Sequence, residues 1–536
     1  DYGHNVAIGA GALRTLNAAS NAYNVAVGYD AGYAMTTGTV NTIIGGLAAD
    51  SLTTGSENIA IGYKALSSED TGSHNIAIGS GALENLDYNG SGYNIAIGQN
   101  AGNDITTGIE NTLVGSLAGD ALTDGSRNTV LGTYALSAAN SDGRNVAIGF
   151  RTLENQDGAG ATAYNVAVGY NAGQGVTTGI NNTLIGGLAG DGLTTGSNNV
   201  AIGQDALGVE DTNGSNVAVG TSALSTLNAG VEGYNVALGF QAARLLSTGV
   251  QNTIMGAFTG DALTTGSYNT ALGYNALSAE DTGGASTAIG YYALSKQNNA
   301  GNNYNIAVGH SAGAEITTGT NNILLGGLAG GLLVGGSANV AIGTQALYTE
   351  DGHGRNVAIG YEALKVQNAG ADAYNIAIGY YAGRALSTGL SNTLIGGLAG
   401  DAITTGYGNV AIGYNALSTE DAGGTNVAIG HQALQDQDAG LNAYNVAVGY
   451  DAGKDITTGA DNTIIGGDAG LVLTTGGRNT LLGRAAGYVL TAENNTFIGR
   501  RAGYTATTGD LNVCLGSGAD VSAATVANEV NIYNGT

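Results

Sequence analysis

The chain has no proline, a single cysteine, and only 15 Lys and Arg against 41 Asp and Glu in 536 residues. Proline lacks the N–H that a sheet ladder needs, so its absence suits a backbone that is hydrogen-bonded almost throughout. Collagen and flexible linkers are excluded as well, because 94 glycines here accompany 43% hydrophobic residues and no proline. The lone Cys514 rules out an internal disulfide framework; it sits in a strand column of small and aliphatic residues and reads as a buried hydrophobe. A formal charge of −26 argues against nucleic acid, which calls for clustered Lys and Arg on the phosphates. No apolar run approaches the roughly 20 residues of a membrane helix, so membrane insertion is not expected. No signal peptide is visible and Asp1 already lies inside a repeat, as expected of a processed protein or a piece of a longer one.

What the chain has instead is repetition. Asn, three small or β-branched residues and then Gly recur thirty times, from Asn5-Val-Ala-Ile-Gly9 to Asn512-Val-Cys-Leu-Gly516, and only Ser286 departs from Asn. The first starts fall at Asn5, Asn24, Asn41, Asn58 and Asn75, one longer step followed by three equal ones, and the same order then begins again. Four coils therefore make one super-repeat. A repeat this short cannot bury a hydrophobic face alone and must stack on its neighbours. The expected fold is all-β, a parallel β-solenoid of about thirty coils spanning residues 1–516, with super-repeats starting near 5, 75, 145, 216, 286, 356, 426 and 495. Residues 517–536 read as a C-terminal transition or capping segment.

Counting each Asn as position zero, +4 is Gly and +7 is almost always Ala. The Val-Ala-Ile stretch predicts a short strand with +1 and +3 on one face and +2 on the other. Asn5, Asn24, Asn41 and Asn58 should then form an amide ladder, and Gly9, Gly28, Gly45 and Gly62 a second column. Position +14 is usually Gly (Gly38, Gly55, Gly72), otherwise Asp142, Asn213 or His353, and Glu493 late in the chain. These residue types predict a corner with positive φ.

Three features recur only once per super-repeat. The third coil carries a large residue at +2: Ile43, Leu113, Leu184, Ile254, Leu324, Leu394 and Ile464. The fourth carries an acidic pair: Glu69-Asp70, Glu210-Asp211, Glu280-Asp281, Glu350-Asp351 and Glu420-Asp421. Tyr23, Tyr93, Tyr164, Tyr234, Tyr304, Tyr374 and Tyr444 precede the second-coil Asn and predict a spaced surface row.

The Asn-Val-Ala-Ile-Gly…Ala-Leu coils resemble two families. One is the β-roll head of trimeric autotransporter adhesins, whose coils are shorter than those found here. The other is the shaft of tailed-phage fibres, with long Asn-Thr-Ala-Ile-Gly…Ala-Leu arrays. The terminal Asn528-Glu-Val-Asn-Ile-Tyr-Asn-Gly-Thr536 is similar to the stretch preceding an intramolecular chaperone in such fibres. The resemblance implies a homotrimeric fibre that serves attachment to a host-surface glycan or protein and is located on a virion. The alternative is an adhesin or extracellular filament at a cell surface. The strand pattern adds its own expectation: Val and Ile fill the coil, and the Ala face lets neighbouring chains approach. The large side chains at +2, from Ile43 to Ile464, would then be trimer contacts.

No enzyme is expected. A polysaccharide-cleaving tailspike would require a carboxylate pair, but Glu69-Asp70 and its copies recur without a distinctive pocket sequence, and adjacent strand residues face apart. His4, His74, His310, His353 and His431 show no metal-ligand spacing. Asp70 with Asp87, and Asp421 with Asp438, could stack in adjacent coils as oxygen ligands for Ca²⁺, although solvated turns explain them as well and no cofactor is expected. Gly186-Gly187-Leu-Ala-Gly190 lacks the Lys and helix of a phosphate loop.

Overall fold

The computed structural model describes all residues except 1–2, 19–20, 159–161, 211 and 534–536, so Asp211 and the end of the terminal segment lie outside the described residues. It consists of two compact units, Asp1–Tyr268 and Asn269–Thr536. Each unit is a parallel β-solenoid with one three-residue strand per coil, such as Val25–Val27, Thr42–Ile44 and Ile59–Ile61 in the first and Val427–Ile429 and Val446–Val448 in the second. No helix occurs among the described residues. Strands pair in strict register, Ala26 beside Ile43 and Ile43 beside Ala60, because identical coils have no reason to slip. A further strand, Val530–Ile532, follows Gly516 and pairs with Val513–Leu515. Glu529 takes the Asn place there, donating its N–H to Asn512 Oδ1, and Asn531 replaces the small apolar side chain at +2. The predicted terminal segment therefore begins as one more coil.

The Asn ladder forms as the sequence predicts. From Asn24 onward each Asn is buried, and its Oδ1 accepts the N–H at the same place in the next coil; in the second and third coils its Nδ2 also donates to the carbonyl at +14 of its own coil, whereas in first coils the Nδ2 of Asn75 and Asn216 turns to the carbonyl two residues before it. For Asn41 these bonds are 2.9 Å to Asn58 N and 2.9 Å to Gly55 O; for Asn111 they are 3.0 Å to Asn128 N and 2.9 Å to Gly125 O. One carboxamide thus clamps its own turn and registers the following coil. Where Ser286 replaces Asn, its N–H still donates to Asn269 Oδ1, and Gln297 Nε2 donates to the Ser286 hydroxyl.

The corner prediction is overturned. Neither Gly38, Gly55 and Gly72 nor Asp142, Asn213 and His353 has positive φ. Left-handed residues occupy −1, +4, +6 and +8 instead, as in Val40 (φ 60°), Gly45 (141°), Leu47 (55°) and Ala49 (44°). At +4 only Gly serves: φ is far from any L-residue basin, and a Cβ on Gly45 would lie 2.3 Å from Gly62 O. At +14 glycine is selected by space rather than φ. A Cβ on Gly55 would meet Gly72 O at 2.2 Å and Leu52 Cδ1 at 2.6 Å.

Inside and outside are also reversed from expectation. The +2 side chains are the core: Ala26, Ile43, Ala60 and their copies are fully buried within their own coil. The +1 and +3 aliphatics face outward, with Ile8, Ile44, Ile97, Leu131 and Ile185 exposed. Ile43, Leu113, Leu184, Ile254, Leu324, Leu394 and Ile464 are therefore interior residues and present no surface to a neighbouring chain. The physical reason is width, since across such a narrow coil the side chain at +2 is met by +7, +8 and +11 of its own and adjacent coils.

That width also explains the four-coil period. Where +2 is Ala in the first and fourth coils, +8 is Leu, as in Leu66 and Leu83. Where the third coil brings Leu113, +8 is Gly in that coil and the one before, and Cβ atoms on Gly102 and Gly119 would lie 2.7 and 3.2 Å from the Leu113 methyls. Leu184, Leu324 and Leu394 show the same pairing with Gly173, Gly313 and Gly383, and Phe497 fills the space above Gly503. Volume is conserved while its source alternates.

Leu113→Ala should destabilise by about 2–5 kcal/mol and Gly102→Leu by about 1–3 kcal/mol. The double variant recreates the Ala-with-Leu pairing of the other coils and should cost at least about 1 kcal/mol less than the sum. Denaturant unfolding of all four proteins measures this; strict additivity would show that the two positions do not share volume.

Candidate functional site: interior carboxyls and outward columns

The first Glu of each acidic pair is not on the surface. Glu69, Glu210, Glu280, Glu350 and Glu420 occupy +11 of the fourth coil and are fully buried, in the place that Leu52 and Leu122 hold in other coils. Burial raises the carboxyl pKa of Glu69, Glu280 and Glu420, and pushes Glu350 up to about 7. Each carboxyl binds the turn that follows it. Glu69 Oε1 accepts Gly72 N at 2.5 Å, and its Oε2 accepts Tyr88 N at 3.2 Å from the longer loop of the next coil. Glu280 accepts Gly283 N (2.7 Å), Gln297 Nε2 (2.9 Å) and Asn303 Nδ2 (3.0 Å).

This geometry accounts for the residues that break the +14 glycine column. In the second super-repeat +11 is Ala139, and the carboxyl comes from Asp142, which is buried and accepts Gly158 N and Gln156 Nε2. Asn213 donates its Nδ2 to Glu210 Oε1 at 3.0 Å, and His353 donates its backbone N–H to Glu350 Oε1 at 3.3 Å. All three answer to the interior carboxyl. Glu493 is exposed and pairs with Arg478.

The sequence candidates for Ca²⁺ do come together. Glu69, Asp70 and Asp87 each bring an oxygen within 4.8 Å of the others, as do Glu420, Asp421 and Asp438; Glu350, Asp351 and His353 form a third group. Burial, and then the neighbouring Asp421, raise the Asp438 carboxyl. Three side-chain oxygens fall short of the six to eight that Ca²⁺ takes, and the enclosed Glu69 already serves backbone N–H groups. These clusters are junctions between a fourth coil and the wider coil that follows.

The other four histidines fall into surface columns. His4 stacks on Tyr23 and His74 lies tilted against Tyr93, at 5.2 and 5.0 Å between centroids, and in other super-repeats Arg144 and Arg355 lie over Tyr164 and Tyr374. The predicted row of tyrosines is exposed, with these partners beside it. His310 and His431 belong to a column that sequence reasoning missed, at +5. There Tyr291 stacks on His310 (5.2 Å), Tyr361 on Tyr380 (5.6 Å), and His431 on Tyr450 (5.0 Å). The signal was present as aromatics directly after the coil glycine. Cys514 is buried, and burial pushes its thiol up to about 11, so it is inert at neutral pH.

Compared with known proteins, the chain matches no family model and no curated protein.

The sign of the carboxyl shift gives a test. Between pH 4.5 and 7 the folded chain keeps the Glu350 proton that the unfolded chain releases, so this group's contribution is present below 4.5 and lost as pH rises through about 7. Glu350→Gln should flatten the fall in stability between pH 5 and 8 relative to the parent, by on the order of 2 kcal/mol. Equal slopes for the two proteins in urea titrations would contradict it.

Proposed function

We propose that the chain is a non-enzymatic structural fibre protein, of the kind that forms tailed-phage fibre shafts, and that it assembles as a homotrimer serving attachment to a host surface. The observation that carries this reading is how each coil uses its residues. The interior is spent on stacking: Asn on Asn, Gly against carbonyl, Leu against Gly. The chemistry that recurs is scaffold chemistry, with every interior carboxyl bound to a turn. What the coils present outward is a set of repeated columns, which suits a surface that meets large partners rather than a small substrate.

Self-association then uses the outward strand face, not the +2 column. The +3 row is Val, Ile, Leu or Met in coil after coil and half-buried to exposed in the single chain, with Ile97 and Ile185 exposed; +1 alternates Val or Ile, such as the exposed Ile306 and Ile376, with Thr. An aliphatic +3 row along each unit, on a chain of charge −26, is an association surface, because charge would otherwise keep copies apart. The place of action that follows is a virion, with a cell-surface filament as the cellular counterpart.

Light scattering should give three times the 52.8 kDa chain mass. Ile185→Arg should shift the protein to monomer with its β-type circular dichroism intact, since the side chain points out, whereas Leu113→Arg should unfold its coil. A parent protein that is monomeric at micromolar concentration contradicts the trimer. Failure of the full chain to be retained on any of a broad panel of bacterial cells contradicts attachment.

A further inference from the structure

One cavity departs from the acidic character of the rest. Late in the second unit three successive coils place Arg484 and Arg500 at +5, Asp468, Ala485 and Arg501 at +6, and Tyr488 and Tyr504 at +9, around a space of about 190 Å³. Three of the chain's 15 cationic side chains thus line one cavity. Elsewhere cations mostly sit on carboxylates, as Arg127 does on Glu110 (2.7 Å) and Lys296 on Glu315 (2.6 Å). Here Arg484 stands 3.9 Å from Asp468 at the rim, while Arg500 and Arg501 have no ion pair or side-chain hydrogen bond among the described residues. Tyr488 and Tyr504 stack at 5.3 Å with an interplanar angle of 22°, and the Arg501 guanidinium lies 5.1 Å from the Tyr504 ring centre.

We propose that this cavity binds a carboxylated sugar ring, a uronic-acid-type unit of a surface polysaccharide. Guanidinium forks match a planar carboxylate in bidentate fashion, and Arg500 and Arg501 line one opening with no carboxylate partner among the described residues. The two tyrosine hydroxyls, each able to donate and to accept, suit the hydroxyl groups that ring the edge of a sugar. The volume is below the roughly 300–1,000 Å³ of drug-sized pockets, so one ring enters rather than a chain of them. Asp468 at the rim opposes a dianion more than a monoanion, which favours carboxylate over phosphate. The cavity stands on its own geometry; only the assignment of a polysaccharide as the natural source rests on the attachment reading.

The probe is glucuronate added to the full chain and followed by calorimetry or ligand-observed NMR, with glucose as uncharged control and inorganic phosphate as bare anion. Arg500→Gln and Arg501→Gln should each weaken glucuronate binding about tenfold with circular dichroism unchanged. Glucose and phosphate should bind at least tenfold more weakly than glucuronate. The proposal is overturned if glucuronate does not bind, if phosphate or glucose matches it, or if neither variant weakens it. Retention on cells that carry uronate-containing polysaccharide separates the two readings. Glucuronate binding without retention sinks attachment and leaves the cavity. Retention without glucuronate binding sinks the cavity and leaves attachment.

Discussion

The buried asparagine carboxamide is the interaction on which the rest of the structure depends. One side chain accepts the N–H of the next coil and, outside the first coils, donates to a carbonyl of its own, so neighbouring coils are locked in register by a group that also closes most turns. Lock the coils in register and every other column follows. The +4 glycines approach the next coil's carbonyl so closely that no Cβ fits, and the side chains at +2 and +8 share one interior volume. Such a stack is quasi-one-dimensional: each coil's stability comes from its neighbours.

That interior is too narrow for Val and Ile on every coil, which inverts the usual rule for placing aliphatics. Ala at +2 meets Leu at +8, or Leu at +2 meets Gly at +8, and the bulky β-branched residues go outside. The outer face is consequently apolar in strips and acidic at the turns. In a protein built this way the interior is taken up by packing, and the features that distinguish one coil from another lie in surface columns and in departures from them. The cavity lined by Arg484, Arg500 and Arg501 is such a departure, at the point where steps shorten and the aromatic +5 column gives way to arginine.

Much of this was legible in the sequence. The Asn and Gly spacing gives the coil, the strand, the parallel stack and the amide ladder, because those depend only on local pattern and on repetition. Period-two alternation separates +1 and +3 from +2 but does not say which face is inside. Choosing the larger residues for the interior put Ile43 and Leu113 between chains, when the coil's width encloses them. The +14 column was misjudged for a related reason. Asp142, Asn213 and His353 share a tolerance for left-handed backbone, yet what unites them is the enclosed carboxyl, their own or that of Glu210 or Glu350. Ala139 beside Asp142 was the clue, since a carboxyl lost at +11 reappears three residues later. The acidic pairs hid one inward and one outward residue, and the arginine cavity needs three coils superposed before its members become neighbours.

The central claim is that the asparagine column holds the coils together, and hydrogen exchange followed by mass spectrometry tests it most directly. In Asn111→Ala the backbone amide of Asn128 loses its acceptor and Gly125 loses a donor. Peptides covering 122–132 should exchange at least tenfold faster than in the parent, while peptides several coils away keep their protection. Unchanged exchange around Asn128 would contradict the account, and would mean that strand pairing and the +2 core hold the stack without the ladder.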